Sequence, residues 1–245
     1  MRLHDLGRVE YLEAWRLQEA LATRLARGED ESLLVLEHPH VYTIGRRGTP
    51  EHLTIPLDEL RRLGASVYRV DRGGDITYHG PGQLVAYPIV DVGRRGGDVV
   101  AYVRALEDAV IAVAADVGVA ARRVEGRTGV WVTLPGGAPG KICAIGVRVS
   151  RGITWHGLAL NVTTDLAWFD RMIPCGFAHQ VASLARLGVA VTVDEGKPLL
   201  ARRLGDALGV DVRVATELAP ARDEEIREDA PVRGARDLVR EPVAA

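Results

Sequence analysis

A chain of 245 residues, 47% apolar and 26% charged, can bury a large core, and its formal charge of −2 offers no basic surplus for nucleic acid or an anionic membrane. No apolar run approaches the ~20 residues of a membrane span, and the opening Met1-Arg-Leu-His-Asp5 lacks the apolar centre of a secretory signal. Two cysteines make no disulfide framework, so a reducing cytoplasm is the expected setting.

Ala14, Leu17, Leu21 and Leu25 recur at helical spacing and predict a helix over residues 9 to 27, ended by Arg27-Gly28. Ser32 to Glu37 is a short apolar run, expected as a buried strand. After His38-Pro-His40 come Val41 to Ile44 and then Gly45-Arg-Arg-Gly48. A short helix over Leu57 to Leu63 follows, then strands at Ser66 to Val70 and Asp75 to Tyr78, broken by Gly73-Gly74. Leu84 to Val92 reads as a strand in which Pro88 marks an edge position or a bulge.

Val99, Val103, Leu106, Val110, Val113 and Val117 predict a long amphipathic helix from Asp98 to Val117. Three strands follow at Thr128 to Leu134, Lys141 to Val149 and Ile153 to Asn161, joined by glycine-rich loops. Thr192-Val-Asp-Glu195 is a capping box that opens a helix through Leu208, and Val210 to Val214 is a last short strand. Residues 216 to 245 hold eight acids and five arginines with little periodicity, and read as a charged, mobile tail after one domain over residues 1 to 215. Strands and helices do not alternate regularly, which favours α+β over a doubly wound parallel sheet.

Of 31 basic residues only Lys141 and Lys197 are lysine. A lysine at the head of an apolar run stands out in such a chain, because lysine can give up its proton and arginine cannot. Cys175 sits in Ile173-Pro-Cys-Gly176, a turn that can present a thiol to a cleft, whereas Cys143 lies inside an apolar strand as a small buried thiol does. His79 and His156 each precede a glycine and could serve a cysteine as a base. His38 and His40 lack further ligands at zinc-like spacing, so no metal is expected. Arg72-Gly-Gly-Asp-Ile-Thr-Tyr-His79 permits close backbone approach to a ligand, yet no phosphate-cradling loop is present.

Together these segments resemble the lipoyl(octanoyl) transferase family. The resemblance rests on Leu36-Glu-His-Pro-His-Val-Tyr-Thr-Ile-Gly-Arg46, Asp71 to Leu84, Gly126-Arg-Thr-Gly-Val-Trp131, Lys141-Ile-Cys-Ala-Ile-Gly-Val-Arg148, His156-Gly-Leu-Ala-Leu-Asn161 and Ile173 to Gly176, in family order over residues 5 to 210. It implies the biotin/lipoate ligase catalytic fold, a mixed and largely antiparallel β-sheet flanked by helices beside a cleft. It also implies a Cys/Lys dyad, here Cys175 and Lys141. Substrate would be bound by Arg72, Gly73, Gly74, Asp75, Ile76, Thr77, Tyr78 and His79, by Ala144, Ile145 and Gly146, and by Gly157, Leu158 and Ala159, with His156 in support. The implied donor is octanoyl-acyl carrier protein, and the implied acceptors are lipoyl domains and the glycine-cleavage H protein.

Thioester to amide is downhill, so no nucleotide or other cofactor is expected, and the chain is expected to act as a monomer. Backbone N–H groups near Ala144 to Gly146 are candidates for an oxyanion site. Arg46, Arg47, Arg72, Arg148 and Arg151 flank the site in sequence and are candidates to meet an acidic carrier protein. Rival readings are an ATP-dependent lipoate ligase, which should carry a further glycine at Asp75, a cysteine hydrolase, and a binding relative without turnover.

Overall fold

Both faces of the central sheet are covered, which is why its strands read as continuous apolar runs. In the computed structural model, which describes residues 1–173, 180–228 and 230–238, the first helix α1 spans Tyr11–Ala26 and follows a strand β1 at Arg2–Arg8. Strand β2, Ser32–Glu37, alternates between two cores. Leu34 and Leu36 pack under Ala14, Leu17, Leu21 and Leu25 of α1. Leu33 and Val35 face the opposite side, where α3 (Val99–Asp116) contributes Leu106, Val110 and Val113, and α4 (Val193–Leu208) contributes Leu200 and Leu204.

The remaining strands are β3 (Val41–Ile44), β4 (Ser66–Arg69), β5 (Ile76–His79), β6 (Gln83–Ile89), β7 (Ala121–Val124), β8 (Arg127–Thr133), β9 (Pro139–Ser150), β10 (Ile153–Asn161), β11 (Gln180–Val181) and β12 (Arg213–Val214). Among the described residues the main sheet runs β12-β1-β2-β6-β10-β9-β8-β7, with β11 beside β9, and a small sheet runs β4-β3-β5. Pairings of β1 with β2, β1 with β12, β9 with β11 and β3 with β4 are parallel, and the rest antiparallel, so the sheet is mixed and largely antiparallel as expected. A short helix α2 covers Leu57–Arg62. The Asp98 side chain caps α3 by accepting from Val100 N and Ala101 N, and the Thr192/Glu195 capping box opens α4.

Two expectations change. Pro88 is not on an edge, since β6 lies between β2 and β10. The β6–β10 ladder stops at Ala86–Leu158, so the missing N–H falls where β10 no longer pairs, and Thr154 Oγ donates to Pro88 O at 2.8 Å. Pro88 therefore marks a local interruption. The segment after Thr216, expected as a mobile tail, instead packs on α1 and β4 as far as Leu238. Ile226, Ala230 and Val232 are buried with Tyr11, Trp15 and Tyr68, and Arg24 Nε and Nη2 donate to the two Glu225 oxygens at 2.8 and 2.7 Å. Leu238 N donates to Val67 O. Three apolar anchors among many charges leave no periodic signal in the sequence.

Candidate functional site

Small residues give β9 and β10 a smooth face. Ala144 pairs with Ala159 and Gly146 with Gly157, while Cys143, Leu158 and Leu160 turn toward α3 and α4. Over this floor lies a cleft of about 1520 Å³, bordered also by Ile145, Leu158 and the β4–β5 loop. Gly73 N donates to Val147 O at 2.9 Å and lays that loop on β9. A Cβ on Gly146 would stand 3.0 Å from Gly73 O and 3.1 Å from Arg72 Cδ, so the close approach depends on glycine.

Arg72 is buried. Its Nε and Nη2 donate to Thr43 Oγ at 3.2 and 2.9 Å, Nη2 also to Thr43 O at 2.6 Å, and Nη1 to Gly73 O at 2.9 Å. No carboxylate pairs with it among the described residues, and burial lowers its pKa. Asp75 borders the cleft, but its carboxylate already accepts from Ile76 N at 2.6 Å and lies 2.7 Å from His52 Nδ1. Ile76, Thr77 and His79 line the cleft; Tyr78 does not. The alternation of β5 turns Tyr78 into the small core with Tyr42, its ring parallel to Trp168 and its hydroxyl 2.7 Å from His40 Nδ1. Tyr78 is thus removed from the substrate-contact set.

Lys141 is aimed into the cleft by a register shift in β8–β9, between the pairs Val130–Cys143 and Trp131–Lys141. Gly129 permits it with φ of +111°, where a Cβ would stand 2.5 Å from Cys143 O. The bulge is anchored from α3 by Glu107, fully buried, whose Oε1 accepts from Gly129 N at 2.9 Å and whose Oε2 accepts from Arg104 and Arg123 at 2.6 and 2.8 Å. Lys141 Nζ lies 4.6 Å from the centre of the Trp131 ring. Cys143, two residues beyond Lys141 on β9, is fully buried and its thiol is pushed up to about 12 by desolvation, which makes it inert.

Cys175 lies outside the described residues. The chain on either side of it is placed: Ile173 N donates to His52 O at 2.8 Å, Val181 pairs with Lys141, and Ala182 N donates to Lys141 O at 3.0 Å. Ile173 and Gln180 both border the cleft.

At the opposite end a second irregularity re-aims His156, whose φ is +56°. Trp155 and His156 both face α1 as a result, and Gln18 Oε1 accepts from His156 N at 2.7 Å in place of a ladder partner. His156 Nε2 sits 2.7 Å from Asp71 Oδ1, and Trp155 Nε1 donates to the same oxygen at 3.3 Å. Burial lowers the pKa of His156; the Asp71 carboxyl is lowered by its hydrogen bonds and charge partners against its own burial. Tyr11, Tyr87 and His79 complete this end. Tyr11, Tyr87 and Glu107 carry no sequence signal, being single residues brought in by distant elements, whereas Asp71 opens the Asp71 to Leu84 motif without being marked there as a partner of His156.

The arginines also redistribute. Arg46, Arg47, Arg127 and Arg186 are exposed, line the cleft and have no ion pair among the described residues. Arg72 is buried, Arg148 lies 3.7 Å from Asp71, and Arg151 occupies the β9–β10 turn, so these three leave the candidate docking set. Among the described residues no group of three or more His, Cys, Asp or Glu is arranged to hold a metal, and no helix is long and apolar enough to cross a membrane.

Residues 10–205 match the lipoyl protein ligase A/B catalytic domain. The chain is 46% identical over 220 residues to an octanoyltransferase of Solibacter usitatus, covering 89% of this chain and 98% of the relative. It is 51% identical over 205 residues to one of Acidothermus cellulolyticus, covering 82% and 89%. Among solved structures it superposes on a lipoate-protein ligase A bound with ATP at a TM-score of 0.72, with 22% identity over 91% of this chain and 90% of that one. A bipartite lipoate protein ligase of Thermoplasma acidophilum gives a TM-score of 0.67 at 21% identity over 91% and 88%. The latter two are likenesses of fold.

Proposed function

The chain belongs to the lipoyl protein ligase A/B catalytic-domain family, and with octanoyltransferase relatives that it matches nearly end to end we propose that it transfers octanoyl groups in protein lipoylation through a thioester on Cys175, with Lys141 as proton carrier. The observation that carries this reading is the placement of Lys141 between β8 and β11 at the cleft end that Ile173 and Gln180 border. Cys175 is two residues from Ile173. The other thiol, Cys143, is excluded by its burial.

The chemistry follows from charge. A nearby ammonium favours the thiolate of a cysteine that is otherwise mostly protonated at neutral pH. The Cys175 thiolate attacks the donor thioester carbonyl, a new C–S bond forms, and the departing pantetheine thiol takes its proton from Lys141. The floor of Ala144, Gly146, Gly157 and Ala159 receives the acyl chain. Neutral Lys141 then removes a proton as the acceptor lysine amine attacks, and the amide forms as the Cys175 thiolate leaves. Acyl carrier protein is the donor and a lipoyl domain the acceptor in this reading, and Arg46, Arg47, Arg127 and Arg186 supply a positive rim for an acidic donor.

Intact mass of a lipoyl domain after incubation with enzyme and octanoyl-carrier protein, desalted and with chelator, tests the activity. One octanoyl group should appear without nucleotide. Transfer that starts only on adding ATP and magnesium overturns the reading.

A further inference from the structure

The end of the cleft away from Lys141 is polar, although the acyl chain it would receive is not. Tyr11, Arg72, His79 and Tyr87 all line it, and each is more than nine-tenths buried. The protons in this wall can be assigned from their partners. Asn161 Nδ2 donates to Ala182 O, so Asn161 Oδ1 accepts from Gln83 Nε2, and Gln83 Oε1 accepts from His79 Nδ1 at 2.8 Å. His79 Nε2 is then a bare lone pair, with no hydrogen-bond partner among the described residues. His38 Nδ1 donates to Val9 O at 2.7 Å, so Tyr87 must donate its hydroxyl proton to His38 Nε2 at 2.8 Å. His156 Nε2 donates to Asp71, so Tyr11 donates to His156 Nδ1, at 3.4 Å. Burial keeps all three histidines and both phenols neutral, as these assignments require.

The phenol and imidazole protons of the wall therefore point away from the cleft, and three acceptors are left toward it. Arg72 supplies the complement. Its four hydrogen bonds use Nε, both Nη2 protons and one on Nη1, leaving one N–H. We propose that this end of the cleft is a hydroxyl-binding subsite, in which Tyr11 Oη, Tyr87 Oη and His79 Nε2 accept from, and Arg72 donates to, an acyl chain that ends in a hydroxyl group. The reach is suitable. Lys141 and Gly146 are about 17 Å apart along β9, a span shared by the lysine side chain and an extended eight-carbon chain of about 9 Å.

The proposal rests on the octanoyl-transfer reading for the orientation of the chain, and two readouts separate the two. Octanoyl- and 8-hydroxyoctanoyl-pantetheine compete at equal concentration for transfer to a lipoyl domain, and octanoate and 8-hydroxyoctanoate are compared by calorimetry. An apolar end disfavours the hydroxyl by about 10²-fold. The subsite predicts a ratio within about tenfold in both assays, and at least a fivefold move against the hydroxylated ligand in Tyr87→Phe. Tyr11→Phe serves the same purpose should Tyr87→Phe fail to fold. Rejection of the hydroxylated ligand by 10²-fold or more in binding, or a folded variant with the wild-type ratio, overturns the subsite. Retained binding preference with no transfer of either donor supports the subsite and overturns the transferase reading.

Discussion

Glu107 never touches substrate, yet its removal should be felt at Lys141. The carboxylate bridges α3 to β8 opposite the β9 bulge, accepting from Gly129 N at 2.9 Å while Arg104 and Arg123 neutralise its other oxygen. Glu107→Ala leaves the Gly129 N–H buried without a partner, about 1–3 kcal/mol, and adds a small cavity, so a total loss of about 2–4 kcal/mol is expected. The bulge is what sets Trp131 opposite Lys141, and a displacement of about 1 Å at a catalytic group can cost about 10²-fold in rate. Glu107→Gln keeps an oxygen for Gly129 N. It turns an amide N–H₂ toward two guanidinium groups that are half or one-third exposed and can turn to water. It should cost about 1–2 kcal/mol and hold the rate within about threefold, the bulge being kept. Urea unfolding and single-turnover transfer, measured where all three proteins are folded, decide the matter. A folded Glu107→Ala enzyme with a wild-type rate would show that the bulge is only structural and does not place Lys141.

Lys141→Arg keeps the charge but cannot cycle its proton, so it should retain some thiol alkylation near neutral pH and lose transfer by about 10²–10⁴-fold; a near wild-type rate removes the proton-carrier role. Carrier-dependent turnover should fall with salt, and charge reversal at Arg46 or Arg127 should weaken it, while a small octanoyl thioester responds much less; equal salt sensitivity for both donors removes the docking rim. Buried His38 has its pKa lowered to about 4 by desolvation. The unfolded chain therefore binds the extra proton below about pH 6.5, and stability is lost as pH falls from there toward 4. Between pH 7 and pH 5 this one residue should contribute a loss of about 2 kcal/mol. Urea midpoints that are flat over that range refute the buried neutral histidine.

Most elements were legible because their apolar residues repeat at the period of the element, as in α1, α3 and β2. The strands that sequence reasoning passed over, β1, β7 and β11, are polar or very short, and they form by pairing with neighbours far along the chain. Gly73, Gly146 and Gly157 stood out as glycines in motifs, and each proves to be a point of close approach. Tyr78 was misassigned because a motif shows neighbours in sequence, whereas a strand sends adjacent side chains to opposite faces. The polar wall was invisible for a related reason: Tyr11 comes from α1, Arg72 from a loop, Tyr87 from β6, and their proton directions depend on partners elsewhere again.

An octanoyl group held by Cys175 in the cleft that Lys141 enters is the central intermediate of the proposed reaction. Intact mass after incubation with octanoyl-carrier protein and no acceptor measures this directly. Cys143→Ala should gain about 126 Da, one octanoyl group on a single nucleophile, and should lose it when a lipoyl domain is added. Cys175→Ala should gain nothing. Acylation of Cys175→Ala, or transfer to the lipoyl domain by that variant at the wild-type rate, would contradict the account.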